Sequence, residues 1–319
     1  MSNNELPLVT VITPAYNQGI FLRDTIESVL SQDYPNIELF VLNDGSTDDT
    51  EKILKEYNGR IRWETHTNMG QTPTINKGWQ LTKGQIITWL NSDDTYLPGA
   101  VKAGVDYLLK HPETAIVFAD SIFTEADGTP LNRTRPVPPF DYKNFVTGCE
   151  NPISQPSSFI RREVIEKAGM LDPTFYYFMD WDFWLRAGLY FKIDYTPELW
   201  STYRLHAESK TVAQSKKAAP ELQYMYNKFF SREDLPADIK SLKSKAMMNM
   251  YFTSGSYFLQ GDDKASAAKM ARKAFAQNPA GIFSPKSLHK FMYCSFGKSS
   301  VYNALRNVFG KNTKTGKTV

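Results

Sequence analysis

The sequence predicts an α/β protein: a mainly parallel, mixed sheet flanked by helices, followed by a C-terminal α-helical region. Three observations carry this. Short apolar runs alternate with helix-periodic segments from Leu8 to Leu205. Aspartates stand at the ends of two of those runs, at Asp44 and at Asp93-Asp94. After His206 the alternation stops, and Ala, Lys, Met and Tyr recur at helical spacing. The expected division is a domain over 1–210 and a helical region with a basic tail over 211–319.

Each element has a local reason. Residues 8–13 read as a buried strand stopped by Pro14. Leu22, Ile26, Val29 and Leu30 then follow a helical period. Residues 37–42 form a second apolar run, and 44–49 close it and open a helix to about Tyr57 with an acidic first turn. A short strand at 61–65, a helix over 72–81 before Gly84, and a strand over 86–90 follow. Val101, Val105, Leu108 and Leu109 mark a helix ended by His111-Pro112, ahead of a strand at 115–119. Further on come a hairpin around Asp127-Gly128, a strand at 157–161, and a helix at 162–168 closed by Gly169. A helix over 181–189 has Asp180 at its start, and two marginal strands sit at 193–195 and 200–205. Residues 213–220 read as a linker or lid. Helices are expected over 221–230, 239–260 and 264–278, the last pair like one tetratricopeptide hairpin. Val301, Leu305, Val308 and Phe309 stripe a last, basic helix.

Bulk properties narrow the class. A chain of 319 residues, 41% hydrophobic, can build a large core without disulfides. Cys149 and Cys294 stand far apart, which excludes a disulfide framework or a cysteine zinc site and suits a reducing compartment. Residues 1–7 carry no apolar signal core, and no apolar stretch approaches the roughly 18 residues of a membrane span. The expected location is the cytoplasm. The net charge of +3 hides an asymmetry: residues 264–319 hold 11 Lys/Arg and no Asp/Glu, leaving the rest at −8. Lys286, Lys290, Lys298 and Arg306 interleave with Leu288, Phe291, Phe296 and Leu305. That pattern suits either an amphipathic element on anionic lipid or a helix packed on the body with a solvated basic face. No recognition motif for nucleic acid accompanies the charge.

In an alternating α/β sheet, ligands bind at the carboxyl ends of the strands. Asp44 and Asp93-Asp94 both fall there. Two carboxylates at the end of a buried strand are costly unless a positive group sits on them. A divalent cation on a sugar-nucleotide diphosphate would serve, since hard oxygen ligands suit magnesium or manganese. An ordinary Asn/Ser/Asp turn is the alternative.

Five segments now line up in order: Thr13-Pro14-Ala15-Tyr16-Asn17; Asn43-Asp44-Gly45-Ser46-Thr47-Asp48; Asn68-Met69-Gly70 with Asn76-Lys77-Gly78; Asn91-Ser92-Asp93-Asp94; and Met179-Asp180-Trp181-Asp182-Phe183-Trp184-Leu185-Arg186. Over about residues 7–210 the chain resembles the family 2 glycosyltransferases, inverting enzymes of GT-A fold. The resemblance implies a Rossmann-like GT-A domain that moves a sugar from a nucleotide-diphosphate donor, UDP- or dTDP-linked, to a saccharide hydroxyl in cell-surface polysaccharide synthesis. It implies that Thr13, Pro14, Ala15, Tyr16, Asn17, Asp44, Asn68, Gly70, Lys77, Asn91 and Ser92 bind the nucleotide. It implies that Asp93, Asp94 and His206 hold Mn2+ or Mg2+, with Asp94 as a second or outer ligand. His206 could instead bond a phosphate.

Asp180 corresponds to the general base, with helix N-cap as its competing role. Asp44 corresponds to the acceptor of a pyrimidine N–H, with a cap on the following helix as its competing role. Trp181 and Trp184 either stack on sugars or fill the core, and Asp182 reads as structural. Gln155, Ser157 and Ser158 are candidates for the acceptor cleft. The family's acids are replaced at Asn43, Asn91 and Met179. Relatives acting on lipid-linked acceptors would place the basic tail on the inner membrane face. Two rivals stand beside this reading. A nucleotidyltransferase is disfavoured because 13–19 contains no Lys or Arg. A non-catalytic sugar-nucleotide or partner-binding module draws on the three replaced acids.

Overall fold

The computed structural model describes residues 6–131, 139–206 and 217–297. The chain divides into two compact units, Met1–Phe140 with Pro152–Val212, and Asp141–Asn151 with Ala213–Val319. The segment Asp141–Asn151, placed with the first domain by sequence, groups with the second unit. The expected boundary at 210/211, residues 213–216 of the linker expected over 213–220, and Lys298, Val301, Leu305, Arg306, Val308 and Phe309 lie outside the described residues, while 218–220, expected as linker, are the first turn of a helix.

The first unit is built on one eight-stranded sheet in the order β3-β2-β1-β4-β7-β6-β8-β5. Its strands are β1 (Val9–Ala15), β2 (Ile37–Asn43), β3 (Arg62–Thr65), β4 (Ile86–Trp89), β5 (Thr95–Tyr96), β6 (Thr114–Thr124), β7 (Ser158–Arg161) and β8 (Lys192–Arg204). The four strands β3-β2-β1-β4 are mutually parallel. β7 runs antiparallel to β4 and β6, β8 is parallel to β6, and β5 is antiparallel to β8. Helices α1 (Gly19–Leu30), α2 (Thr50–Glu56), α3 (Gln71–Gln80), α4 (Ala100–Lys110), α6 (Glu163–Ala168) and α7 (Met179–Ala187) surround it, α5 (Tyr142–Gly148) belonging to the second unit. One large core cluster runs from Val9 and Leu22 through Val41 and Val101 to Phe159 and Trp200.

Several elements depart from the sequence reading. β1 runs through Pro14 to Ala15, pairing Pro14 with Leu42 and Ala15 with Asn43. The carbonyl of Ala15 faces β2, accepting from Asp44 N–H, while that of Ile12 faces β4, accepting from Leu90 N–H. By the alternation of a strand, the missing N–H of Pro14 lies on the β4 side, past the last paired residue, so no ladder bond is lost. The two marginal strands are one strand, β8, whose register to β6 shifts across 196–198, where Pro197 cannot donate. β5 was not foreseen, because two residues carry no period. The hairpin at Asp127-Gly128 is present, with Thr124 bridging Pro130.

The second unit comprises α5 with α8 (Ala218–Phe230), α9 (Ala237–Ser241), α10 (Lys243–Gln260), α11 (Lys264–Gln277) and α12 (Pro285–Phe296). The single helix expected over 239–260 is broken by a turn at Leu242. α5, unanticipated, is tied to α10 where Asn249 Nδ2 donates to the Thr147 carbonyl at 2.7 Å. Met248, Phe252, Ala271, Ala274 and Cys294 form its inner cluster. Both cysteines are buried free thiols, and burial pushes each up to about 12, which makes them unreactive.

Candidate active site

All the site residues singled out in the sequence lie in the first unit, and Asp44 and Asp93-Asp94 follow the carboxyl ends of β2 and β4. The N-terminal turn of α3 is the hub. Asp44, one residue past β2, is buried and turns its carboxylate on the α3 approach: Oδ1 accepts from Met69 N–H at 2.7 Å and Oδ2 from Gly70 N–H at 2.9 Å. Gln71 Nε2 donates to Asn91 Oδ1 at 2.8 Å. The Thr72 hydroxyl donates to the Met179 sulfur, beside Asp180. Residues 69–72 thereby join the Asp44, Asp93 and Asp180 segments. Gly70 enters α3 with φ 91°, a conformation that a residue with a side chain rarely adopts.

Asp44 therefore does not cap α2, which begins at Thr50 after Asp49. Gly45 lets the two loops touch: a Cβ there would stand 2.8 Å from Asn68 N, and its φ is +73°. Asn17, itself at φ 52°, stitches the β1 loop to the same corner. Its Oδ1 accepts from Thr47 N–H at 2.8 Å, and its own N–H donates to Ser46 Oγ at 3.0 Å. Asn43, at the replaced acid, accepts from Ser46 N–H and donates to Thr65. Thr13, Pro14 and Ala15 are buried within β1, so the exposed part of the first motif is Tyr16. Asn68 is exposed, and Lys77 is paired with Glu64 at 2.6 Å.

The Asp93 turn is gripped from two sides. β5 follows it directly and pairs with the end of β8, which carries Arg204 and His206 to the turn. Asp93 Oδ2 lies 2.9 Å from His206 Nε2 and accepts from Gln18 Nε2 at 3.2 Å. The Ser92 hydroxyl donates to Gln18 Oε1. Arg204 is buried and structural: Nε donates to the Asp93 carbonyl at 2.9 Å, and the guanidinium lies 4.7 Å from the Phe21 ring centre. Asp94 is buried beneath, accepting from Arg204 N–H at 2.9 Å and from Asn91 Nδ2 at 3.3 Å. Burial and the neighbouring Asp93 charge raise its carboxyl well above the usual carboxylate range, against the pull of the Arg204 and Asn91 donors.

Among the described residues, no group of three or more His, Cys, Asp or Glu side chains is arranged to hold a metal ion. The pair that does meet, Asp93 with His206, offers one carboxylate oxygen and one imidazole nitrogen, donors that suit a divalent ion. Asp94 stands behind them with both oxygens engaged by the protein.

Asp180 is half-buried in the first turn of α7, whose N-cap residue is Phe178. The N-cap role anticipated for Asp180 is therefore incorrect, because the helix starts two residues earlier than read. Asp182 bonds Arg186 at 2.8 Å, and Arg186 gathers the carbonyls of Ala168, Gly169 and Met170 at the end of α6. Trp184 is fully buried and stacks on Trp89 at 5.7 Å, so it fills the core. Ser157 and Ser158 are also fully buried, bonded to Asp120 and Gln155 carbonyls, and support the sheet rather than line a cleft. Sequence reasoning missed Gln18, Gln71 and Thr72. Their only signal was position, next to motifs already singled out.

The glycosyl transferase family 2 model matches residues 10–169 of the chain. The chain belongs to that family. TuaG of Bacillus subtilis, named for teichuronic acid biosynthesis, is 32% identical over 46% of this chain and 61% of its own length. Uncharacterised Rickettsia glycosyltransferases of the family are 26–28% identical, and the alignments span 34–74% of their lengths. Among solved structures, Staphylococcus aureus TarS 1–349 in complex with UDP-GlcNAc matches with TM-score 0.64 at 15% identity, covering 93% of this chain and 83% of that one. The Pyrobaculum calidifontis mannosyltransferase PcManGT, in complex with GDP-Man and Mn2+, matches with TM-score 0.59 at 16% identity, covering 97% and 89%. Likeness at such identity establishes the fold, which is GT-A.

Proposed function

We propose that this family 2 enzyme is an inverting, metal-dependent transferase that moves a sugar from a UDP- or dTDP-linked donor to a saccharide hydroxyl in cell-surface polysaccharide synthesis. The observation that carries the reading is the α3 hub, which ties the segments of Asp44, Asp93 and Asp180 to four successive residues. Those are the three acids that donor binding, leaving-group stabilisation and acceptor activation each require. The UDP-GlcNAc bound in the TarS structure and the name of TuaG, a putative teichuronic acid biosynthesis glycosyltransferase, support the donor and acceptor classes.

The nucleotide lies over 13–17, 44 and 68–70 in this proposal. A carboxylate has about four lone-pair sites, so Asp44 can hold two backbone donors and still accept a pyrimidine N–H. Tyr16 offers an exposed ring beside the base, and Asn68 an exposed amide. Ser92 and Asn91 shape the turn beneath the sugar, and Lys77 exchanges Glu64 for a phosphate. Asp93 and His206 hold Mn2+ or Mg2+, with Asp94 as the outer acid. A bound divalent ion supplies positive charge for the departing diphosphate.

Asp180 accepts the proton of the acceptor hydroxyl as it attacks the anomeric carbon opposite the diphosphate, through an oxocarbenium-like transition state. The basic segment, with Lys286 and Lys290 on α12, brings the protein to anionic lipid at the inner membrane face, where a lipid-linked acceptor would lie. No helix among the described residues is long and apolar enough to cross a membrane.

The test is a panel of nucleotide sugars with manganese, read by melting midpoint and by nucleotide release with saccharide acceptors. A UDP- or dTDP-sugar should raise the midpoint and release its nucleotide when acceptor is present. Pyrophosphate release from a nucleoside triphosphate, or donor binding with neither hydrolysis nor transfer under any condition, would reject the proposal.

A further inference from the structure

Asn91 stands where the family carries the first acid of its metal motif, and its surroundings have no place for an acid. Gln155 is buried, and its Nε2 donates to the Trp89 carbonyl at 2.6 Å. A carbonyl only accepts, so this bond fixes which way round the Gln155 amide sits. Its Oε1 is left facing Asn91, where Nδ2 lies at 3.3 Å. The same Nδ2 reaches Asp94 Oδ2 at 3.3 Å. On the other side, Asn91 Oδ1 accepts from Gln71 Nε2 at 2.8 Å. One amide thus donates to two acceptors and accepts from one donor. An aspartate can keep only the last of these, and it would aim a carboxylate oxygen at Gln155 Oε1 with no hydrogen between them.

We infer that Asn91 is a positioning residue whose amide clamps the start of α3 to the Asp93-Asp94 turn, and that restoring an aspartate there impairs catalysis instead of improving it. The kinetic part rests on the transferase reading above. The clamp itself rests on the Trp89–Gln155–Asn91–Gln71 chain of hydrogen bonds. An aspartate at 91 would hold a carboxylate oxygen against the fixed Gln155 Oε1, and a buried charge left without a donor is strongly unfavourable. Removing the amide without adding charge leaves Gln155 Oε1 and one Asp94 oxygen short of a donor, a smaller loss.

The experiment compares Asn91→Asp, Asn91→Ala and Asn91→Asp/Asp94→Asn with the parent chain. Melting midpoints, UDP affinity by calorimetry and steady-state transfer are measured at a temperature where each variant is folded. Asn91→Ala should lose about tenfold in kcat with the donor KM changed by less than about twofold, the pattern of a positioning defect. Asn91→Asp should be slower than Asn91→Ala and melt below it. The double variant should recover the midpoint, because an asparagine at 94 can donate to the new carboxylate. Should Asn91→Asp fail to fold while the double variant folds, the need for a donor between positions 91 and 94 is upheld, and Asn91→Ala carries the kinetic arm. An Asn91→Asp enzyme as fast as the parent, or one that melts no lower than Asn91→Ala, overturns the inference. If the parent chain transfers no sugar from any donor, the transferase reading fails, and the order of the three midpoints still decides the clamp.

Discussion

His206 Nε2 lies 2.9 Å from Asp93 Oδ2, although 113 residues separate them in sequence. What joins them is the two-residue strand β5, which pins the Asp93 turn to the end of β8. The same oxygen of Asp93 also accepts from Gln18 on the β1–α1 loop. The proposed metal pair therefore comes from two distant segments, and Gln18 on a third holds its carboxylate in place.

This geometry predicts the metal dependence. Chelation should abolish transfer, and manganese or magnesium should restore it. A pair with one imidazole and one carboxylate should favour manganese over magnesium, the harder ion. His206→Ala should raise the manganese concentration for half-maximal transfer by about tenfold or more. Titration of activity against metal, with binding of manganese to the UDP complex as a second readout, checks this. Full activity in excess chelator would remove Asp93 and His206 from the metal role.

Asp44 should matter to the fold as well as to the donor. Asp44→Ala leaves Met69 and Gly70 N–H without their carboxylate, and loss of such buried bonds costs about 1–3 kcal/mol. Denaturant unfolding should show that loss, and calorimetry should show weakened UDP binding. Unchanged stability would mean that the 66–70 loop is held by other contacts.

Acid stability follows from two depressed carboxyls. Burial alone would raise Asp194, but Lys192, the Thr114 hydroxyl and Tyr107 outweigh it and hold the group below the usual carboxylate range. Burial likewise opposes Asp48, which the Thr50 hydroxyl and the Gly19 and Thr50 N–H groups hold low. A carboxyl lowered in the folded state contributes stability that is complete above its unfolded value, about 3.9, and is lost as pH falls through the lowered value. The melting midpoint should therefore be flat with respect to these groups at neutral pH and fall below about pH 4. Asp194→Asn should flatten that fall, and an identical acid limb in the variant would contradict the assignment.

Much of this was legible in sequence because the signals are local. Apolar runs of strand length separated by helical periods gave β1 to β4 and their helices, and the aspartates after β2 and β4 pointed to the carboxyl end of the sheet as the candidate site. The roles of those aspartates were less legible. Asp44 spends its carboxylate on Met69 and Gly70 N–H groups 25 and 26 residues away, which no spacing rule announces. Asp180 lies inside α7 because the helix begins at Met179, and a helix start carries an uncertainty of one or two residues. β5 and the Gln18–Asp93 contact exist only through tertiary pairing. The three replaced acids have structural accounts: Asn43 bonds Ser46 and Thr65, Asn91 bridges two glutamines, and Met179 is buried against Thr72.

In the proposed sugar transfer, Asp180 takes the acceptor proton. General-base assistance contributes roughly 10²–10⁴ in rate. Single-turnover transfer by Asp180→Asn, alongside UDP affinity measured by calorimetry, tests this most directly. UDP affinity should stay close to that of the parent chain, and transfer should slow by at least about a hundredfold. Transfer at the parent rate in that variant would contradict it.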